Sequence, residues 1–150
     1  MRAALALAKH LGCADRVTAS GSVSDEDLGR LLLAADVLIH PARLDVTGTV
    51  ILEALGAGLP VVVTENCGYS PHVDAAGAGA VVRREASPEE LAAAASPSTT
   101  QRQAWSIAAR DYVRRTDLTK GLDVAASIIE QVAIAGVSNA RKPGEPGFLL

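Results

Sequence analysis

Apolar positions along the chain follow two patterns, a helical spacing of three or four residues and short continuous apolar runs typical of buried strands. After Ser24, leucines and alanines recur every three or four positions, which predicts a helix that buries one stripe of its surface. Residues 37–40 form a short apolar run that stops at Pro41, which predicts a strand buried on both faces. Residues 61–63 are all valine and predict another strand. Strands that alternate with helices predict an α/β fold with a Rossmann-like parallel sheet and flanking helices.

Capping residues and helix-stopping glycines set the boundaries of the other predicted elements. Ser24 and Asp27 form a variant of the capping box, and Ser87 and Glu90 form a complete one. Gly12 is placed to end the first helix. The predicted order is helix 2–11, strand 17–21, helix from 24, strand 37–40, helix 49–55, strand 61–63, helix 72–76, strand 80–82, helix from 87, and a helical stretch over 100–135 that breaks near 116–121.

Composition and charge narrow the class of protein. The 150 residues, 49% of them hydrophobic, suffice for one domain with its own core and exclude a disordered chain. The net charge of -3 argues against a nucleic-acid-binding protein, which usually has a strong basic excess. Cys13 and Cys67 form neither a disulfide framework nor a metal-binding pattern, which is typical of a reducing compartment.

The start of the chain only loosely resembles a signal peptide. Lys9 and His10 interrupt the apolar stretch too early, and no small-residue cleavage site follows. No apolar run reaches the roughly 18 residues that cross a bilayer. We therefore expect a cytoplasmic protein whose association with a membrane is at most peripheral.

Candidate binding groups cluster after the predicted strand at residues 37–40. A loop that contains Asp45 leads from this strand to Thr47, Gly48 and Thr49, where the next helix opens. Ligands of open α/β sheets bind at the carboxyl ends of the strands. The free N–H groups and the positive dipole end of the helix suit a phosphate, and Gly48 would allow a ligand to approach the backbone.

Two carboxylates flank this helix start. Asp45 precedes it and Glu53 lies inside the helix, so that seven residues separate the two. A carboxylate readily accepts hydrogen bonds from adjacent hydroxyls of a ribose or a hexose. Groups for a phosphate and for sugar hydroxyls together indicate a nucleotide-sugar as the ligand.

The same stretch resembles the donor-binding motif of retaining glycosyltransferases with the two-domain GT-B fold (glycosyltransferase family 4, group 1). That family has two glutamates separated by seven residues, then alanine and a Gly-X-Pro-Val-Val strand. Asp45, Glu53-Ala54 and Gly58-Leu59-Pro60-Val61-Val62 match this pattern. His40-Pro41-Ala42 and Cys67-Gly68-Tyr69 resemble in particular the lipopolysaccharide core glucosyltransferase I group.

The resemblance implies a role for each of these residues. Glu53 would accept hydrogen bonds from the ribose of the donor, and Asp45 would hold hydroxyls of the transferred sugar. The backbone N–H groups of Thr47, Gly48 and Thr49 would bind the diphosphate and stabilise negative charge on the leaving group. No metal and no cofactor is implied, and the donor substrate would be UDP-glucose or a similar nucleotide-sugar.

The resemblance also implies an activity for the intact enzyme. It would transfer a hexose such as glucose to a saccharide or glycolipid acceptor of the lipopolysaccharide type. The acceptor would be bound by an N-terminal domain that has no counterpart in this sequence, so we expect the isolated chain to be inactive. No nucleic-acid partner is expected.

The chain departs from the family pattern in two ways. Position 45 is aspartate where the family usually has glutamate, which shortens its reach to the sugar. The first two strands of the donor domain and the basic residues that bind the diphosphate also have no counterpart. We therefore expect residues 1–137 to form an incomplete donor domain and residues 138–150 a flexible tail. In the strand order 3-2-1-4-5-6, the strand at Val17 would lose its neighbour and the strand at Val37 would have an open edge.

Two other functions remain open. The chain can be the non-catalytic half of a split glycosyltransferase that folds against an N-terminal partner. It can also be an unrelated small nucleotide-binding α/β domain, although the sequence contains neither a GxGxxG motif nor a P-loop.

Several candidate residues have a structural interpretation beside the functional one. Asp45 or Thr47 can cap the helix, and His40 at a strand end is more typical of a structural histidine than of a base. Packing is favoured over a binding role for Cys67, Tyr69, Cys13, Trp105 and Tyr112. Arg110, Arg114 and Arg115 are typical of a solvated helix face, with an anionic lipid or acceptor surface as the alternative.

Overall fold

Three short parallel strands and six α-helices make up the part of the chain that the structure describes. The computed structural model describes residues 2–118 together with residues 127 and 131. In chain order the elements are α1 (Arg2–His10), a 3-10 turn (Ala14–Arg16), α2 (Asp25–Ala34), β1 (Leu38–His40), α3 (Thr49–Ala57), β2 (Val61–Thr64), α4 (Ser70–Ala76), β3 (Gly79–Val82), α5 (Pro88–Ala94) and α6 (Thr99–Arg115). The predicted α/β class and parallel sheet are confirmed. None of the described helices has the length and apolar character needed to span a membrane.

The central strand of the sheet is β2. It pairs in parallel with β1, where Leu38 lies opposite Val61, and with β3, where Val61 lies opposite Gly79. Every residue of β2 is buried, as is typical of an inner strand of a parallel sheet. A side chain at Gly79 would collide with the carbonyl of Val61, so glycine permits the close approach of β3 to β2.

The predicted strand over residues 17–21 is wrong. These residues belong to no helix or strand, although Val17 has the extended backbone of a strand, with φ of -114° and ψ of 116°. A strand needs a neighbour to pair its N–H and C=O groups. None of the strands in the described sheet pairs with this segment. This agrees with the expectation that a strand at Val17 would have no neighbouring strand.

The predicted burial of residues 37–40 on both faces is also wrong. Within the described sheet β1 pairs with β2 alone, so the predicted open edge is confirmed. Ile39 is 49% exposed, while Leu38 and His40 are half-buried. An apolar run indicates burial only where other elements cover both faces of the strand, and at this edge Ile39 faces solvent.

The predicted helix starts are confirmed by their capping hydrogen bonds. The Ser24 hydroxyl oxygen accepts from the backbone N–H of Asp27 at 3.2 Å, and the hydroxyl donates to the Asp27 carboxylate at 2.9 Å. Ser87 and Glu90 form the reciprocal capping box. Gly12, with φ of 68°, follows the end of α1 as expected.

The C-terminal predictions are only partly covered by the structure. Helix α6 ends at Arg115, at the start of the predicted break at 116–121. Most of the predicted helical stretch beyond residue 118 lies outside the described residues, as does the predicted tail. The division into residues 1–137 and 138–150 therefore stays a prediction.

The hydrophobic core lies where α3, β2 and α4 pack against α6. Its buried members include Ile51, Ala54, Leu55, Val61, Val63, Val73 and Ala109. Tyr112 packs against this cluster as predicted, whereas Trp105 is half-buried and lies outside it. The buried residue of α6 is the small Ala109 between these two aromatics. Cys13 is half-buried rather than buried, and its thiol donates to the carbonyl of Ala8 at 3.6 Å.

Candidate functional site

The candidate site lies at the carboxyl ends of β1 and β2, in the loop that connects β1 to α3. A parallel bridge between Asp45 and Cys67 joins this loop to the segment after β2. The N–H of Gly68 donates to the carbonyl of Asp45 at 3.0 Å, and the N–H of Tyr69 donates to that of Thr47 at 2.9 Å. The loop is therefore held by backbone hydrogen bonds on a strand end, which is where α/β folds bind ligands.

Gly48 is the N-cap of α3 and has a left-handed backbone, with φ of 70° and ψ of 52°. A side chain at this position would collide with the Cys67 sulfur. Glycine is therefore needed here for its backbone conformation and for the packing of Cys67, beside any approach of a ligand. The interpretation of Thr47 as the N-cap is wrong, because the chain turns into the helix one residue later.

The Asp45 carboxylate holds the start of α3 in place. Its Oδ1 accepts from the backbone N–H groups of Thr47 at 3.2 Å and Gly48 at 3.0 Å. Its Oδ2 lies 2.9 Å from Nε2 of His40. The hydrogen bond from His40, followed by that from Thr47, holds the pKa of Asp45 below its usual range. Asp45 thus orders the turn before α3 but does not cap the helix, because Thr47 and Gly48 both precede its first residue, and the Asp45 side chain is 31% exposed.

Of the three N–H groups that the sequence suggested for a diphosphate, those of Thr47 and Gly48 already donate hydrogen bonds to Asp45. Within the described residues, no group accepts a hydrogen bond from the N–H of Thr49 or from that of Val50. These two N–H groups lie in the first turn of α3, where the helix dipole favours an anion. An anion bound at this helix start would therefore accept hydrogen bonds from the N–H groups of Thr49 and Val50.

His40 and Cys67 complete the cluster around Asp45. The Cys67 side chain is 2% exposed, and its thiol donates to the carbonyl of Thr47 at 3.7 Å. Burial raises the pKa of this thiol. These contacts give both His40 and Cys67 a structural role, and they do not test a binding role. The sequence did not show that the two residues meet, because positions 40 and 67 come together only once β1 and β2 are paired.

Glu53 lies apart from this cluster. It is exposed on α3 and lines a cleft of about 560 Å³ between α2 and α3. The other residues of the cleft are Asp25, Leu28, Gly29, Leu32, Leu33 and Ala57. Its walls are thus largely apolar, with carboxylates at its margin, a combination suited to a ring system that carries hydroxyl groups. No ion pair or hydrogen bond joins Glu53 to Asp45 in the described structure.

Two arginines near the same strand ends were not anticipated from the sequence. Arg43 follows β1 and Arg84 follows β3, and both line a cavity of about 450 Å³ at the carboxyl ends of the sheet. Their positions two or three residues after strand ends were the available signal, but the sequence suggested that basic residues for a diphosphate were missing. Nearby, both polar side-chain atoms of Asn66 are buried, and no described residue is their hydrogen-bond partner, which suits a bound water or ligand.

Most of the chain matches one glycosyltransferase family. The profile of the family described as "Glycosyl transferases group 1" matches residues 3–105. The chain belongs to this family. The matched range includes the whole Asp45 cluster and Glu53, so the site described above lies within the part of the chain that defines the family membership.

Individual relatives agree with this assignment. The chain is 41% identical over 106 residues to lipopolysaccharide glucosyltransferase WaaG of Escherichia coli (strain K12), a match that covers 69% of this chain and 28% of WaaG. Over 56 residues it is 43% identical to mannosylfructose-phosphate synthase of Agrobacterium fabrum (strain C58 / ATCC 33970), covering 37% of this chain and 12% of that protein.

The fold agrees as well. The crystal structure of WaaG, described as a glycosyltransferase involved in lipopolysaccharide biosynthesis, matches with a TM-score of 0.76 and 37% identity, over 85% of this chain and 35% of that chain. The predicted resemblance to GT-B glycosyltransferases is therefore confirmed. The chain spans much less than two thirds of the length of either relative.

Proposed function

We propose that this chain is the nucleotide-sugar-binding part of a retaining glycosyltransferase that transfers a hexose during lipopolysaccharide biosynthesis. Membership of the glycosyl transferases group 1 family and the likeness to WaaG support glycosyl transfer. The observation that carries the proposal is the arrangement at α3. A partly exposed aspartate precedes the helix, free N–H groups lie in its first turn, and a glutamate further along the helix lines a cleft.

The first turn of α3 would receive the diphosphate of the donor. The N–H groups of Thr49 and Val50 point out of the helix start, and Arg43 lies in the loop that precedes it. Negative charge develops on the diphosphate when the glycosidic bond breaks. Oriented N–H groups and a helix dipole stabilise such charge without reorganisation, which is how this helix start would lower the barrier.

The two carboxylates would bind the two sugars of the donor. Glu53 faces the cleft between α2 and α3, where it can accept hydrogen bonds from the ribose hydroxyls. The Asp45 side chain is partly exposed, and its Oδ2, beside His40, can accept from a hydroxyl of the transferred hexose. Because Oδ1 is already engaged by the backbone, Asp45 would bind the sugar through Oδ2 alone.

UDP-glucose is the donor that we propose to test first, without a metal or a cofactor. We expect the 150-residue chain to bind this donor but not to transfer glucose, since the acceptor of a GT-B enzyme contacts the other domain as well. The acceptor would be a saccharide or glycolipid of the lipopolysaccharide type. The exposed edge of β1 suits packing against a further part of such an enzyme, which a separate N-terminal partner can supply.

Calorimetric titration of the chain with UDP-glucose tests this proposal. Glu53→Gln and Asp45→Asn each remove a charged acceptor, and hydrogen bonds to charged groups contribute about 1.5–3 kcal/mol, so each variant should bind at least about tenfold more weakly. Glu26→Gln on α2 and Asp74→Asn on α4 are matched controls at exposed positions outside the site. Equal affinities in all five proteins would contradict the proposed roles of Glu53 and Asp45.

A further inference from the structure

One cluster of side chains has the composition of a soft-metal site. Nε2 of His40, a carboxylate oxygen of Asp45 and Sγ of Cys67 all lie within 4.8 Å of one another. Imidazole, carboxylate and thiolate are the three ligand types that zinc takes from proteins. Zinc with these ligands has bond lengths of about 2.0–2.3 Å, which places ligand atoms roughly 3–4 Å apart. Nε2 of His40 and Oδ2 of Asp45, which lie 2.9 Å apart, would separate slightly, and no pair of ligand atoms starts farther apart than 4.8 Å.

We propose that His40, Asp45 and Cys67 form a zinc-binding site at the carboxyl edge of the sheet. The inference goes beyond the proposed function, which uses no metal, and zinc binding is measured without a donor. Zinc and the hexose would both use Oδ2 of Asp45, so each would exclude the other from this atom. Three protein ligands leave one position of a tetrahedral zinc ion open to solvent, an arrangement that differs from the closed four-ligand sites of structural zinc.

The ligands are held in place before any metal binds. The bridge between Asp45 and Cys67 fixes the two loops against each other, and His40 is the last residue of β1. Oδ1 of Asp45 accepts hydrogen bonds from two backbone N–H groups. Such outer hydrogen bonds orient a ligating carboxylate, and here they leave Oδ2 directed at His40.

Access and proton balance are also consistent with a bound metal. The side chains of His40 and Asp45 are 24% and 31% exposed, so the ion can enter from their side, with the buried Cys67 as the floor of the site. Zinc would replace the Cys67 thiol proton, which passes to solvent, and would bind neutral His40 through Nε2 with the ring proton on Nδ1. Magnesium and calcium prefer oxygen ligands and should not bind here.

Cobalt(II) provides a direct test, because a thiolate bound to cobalt gives a charge-transfer band in the near ultraviolet. We expect the untagged, reduced 150-residue chain to develop this band with one equivalent of cobalt chloride and to lose it when zinc chloride is added. Cys67→Ala should abolish the band, while Cys13→Ser, which changes the other cysteine, should leave it intact. Absence of the band in the unaltered chain, or its persistence in Cys67→Ala, would overturn the proposal.

His40→Gln gives a second test that does not alter the buried cysteine. Even outer-shell partners of a metal contribute about 10–100-fold to affinity. Loss of a direct ligand should therefore weaken zinc binding at least about 100-fold in a competition titration with a chelator. His72→Gln on α4 is the matched control and should bind zinc like the unaltered chain. Equal affinities for His40→Gln and the unaltered chain would exclude His40 as a ligand and contradict the site.

Discussion

The two halves of the described chain differ in how they bury apolar side chains. Apart from Ala8 and Leu32, the buried apolar residues all lie between Ile51 and Ala109. The exposed large apolar residues show the opposite distribution, since all of them except Ile107 precede residue 47. The stretch from α3 to α6 therefore has its own core, whereas α1, α2 and β1 keep apolar surface that further structure would have to cover.

Because of this difference, the candidate site lies at the boundary between the two halves. The Asp45 cluster and the start of α3 lie where the exposed part of the chain meets the packed part. The donor groups are thus fixed by the packed half through α3 and the segment after β2. Truncation of buried side chains in the packed half should therefore destabilise the protein, while truncation of exposed apolar side chains in the other half should have little effect.

The largest expected effect comes from a matched pair of leucines. Leu55 in α3 is 0% exposed and Leu33 in α2 is 73% exposed. Leu55→Ala should lower the free energy of unfolding by about 2–5 kcal/mol, because it leaves a cavity in the core. Leu33→Ala should change it by less than about 0.5 kcal/mol. Urea denaturation followed by circular dichroism measures both, and similar losses in the two variants would show that the halves are equally packed.

Substitution of two glycines compares the start of α3 with its interior. Gly48→Ala places a side chain at a left-handed backbone and against the Cys67 sulfur, so it should destabilise the protein by about 1–3 kcal/mol. Gly56 lies within α3 with open space around it, and Gly56→Ala should stabilise the protein by about 0.5–1 kcal/mol. Thermal unfolding of both variants provides the test. A neutral or stabilising Gly48→Ala would contradict the described geometry of the helix start.

A smaller effect is expected at the capping box of α5. The backbone N–H of Ser87, followed by the guanidinium of Arg83, holds the pKa of Glu90 below its usual range. A carboxyl group with a lowered pKa in the folded state stabilises the protein above its unfolded pKa, about 4.3 for glutamate, and loses this contribution as the pH falls through the folded value. The midpoint of thermal unfolding should therefore exceed that of Glu90→Gln at pH 7, and the difference should vanish towards pH 3. A difference that is constant with pH would exclude this origin.

The smallest effect on stability is expected at the open edge of β1. Ile39→Lys replaces a half-exposed apolar side chain and should alter the free energy of unfolding by less than about 0.5 kcal/mol. Because charged residues on an edge strand oppose pairing with other chains, this variant should shift the sedimentation profile of the chain towards monomer. Identical profiles at equal concentrations would argue against association through β1.

The elements that the sequence predicted well are those whose signals are local. Ser24 and Ser87 cap helices with their own side chains, and Gly12 and Gly58 end helices through a left-handed backbone. The valines of β2 indicated a strand, and they are buried in the middle of the sheet. Each of these signals lies in residues that are close together in the sequence.

The predictions that were wrong depend on distant partners. Residues 17–21 have the composition of a strand, but a strand forms only where a neighbour offers unpaired backbone groups. The burial of Ile39 likewise required elements on both faces of β1. At the site, the motif indicated Asp45 and Glu53 as candidates, but not that Asp45 would use Oδ1 to hold the backbone and face His40 with Oδ2.

The most direct test of the central claim is thermal unfolding of the 150-residue chain with and without millimolar UDP-glucose. A ligand that binds only the folded state raises the unfolding midpoint. We expect one cooperative transition, from unfolding of the packed half, that moves upward by at least about 2 °C with UDP-glucose and does not move with glucose alone. A cooperative transition that UDP-glucose leaves in place, or no cooperative transition at all, would contradict the claim that this chain folds around α3 and binds the donor there.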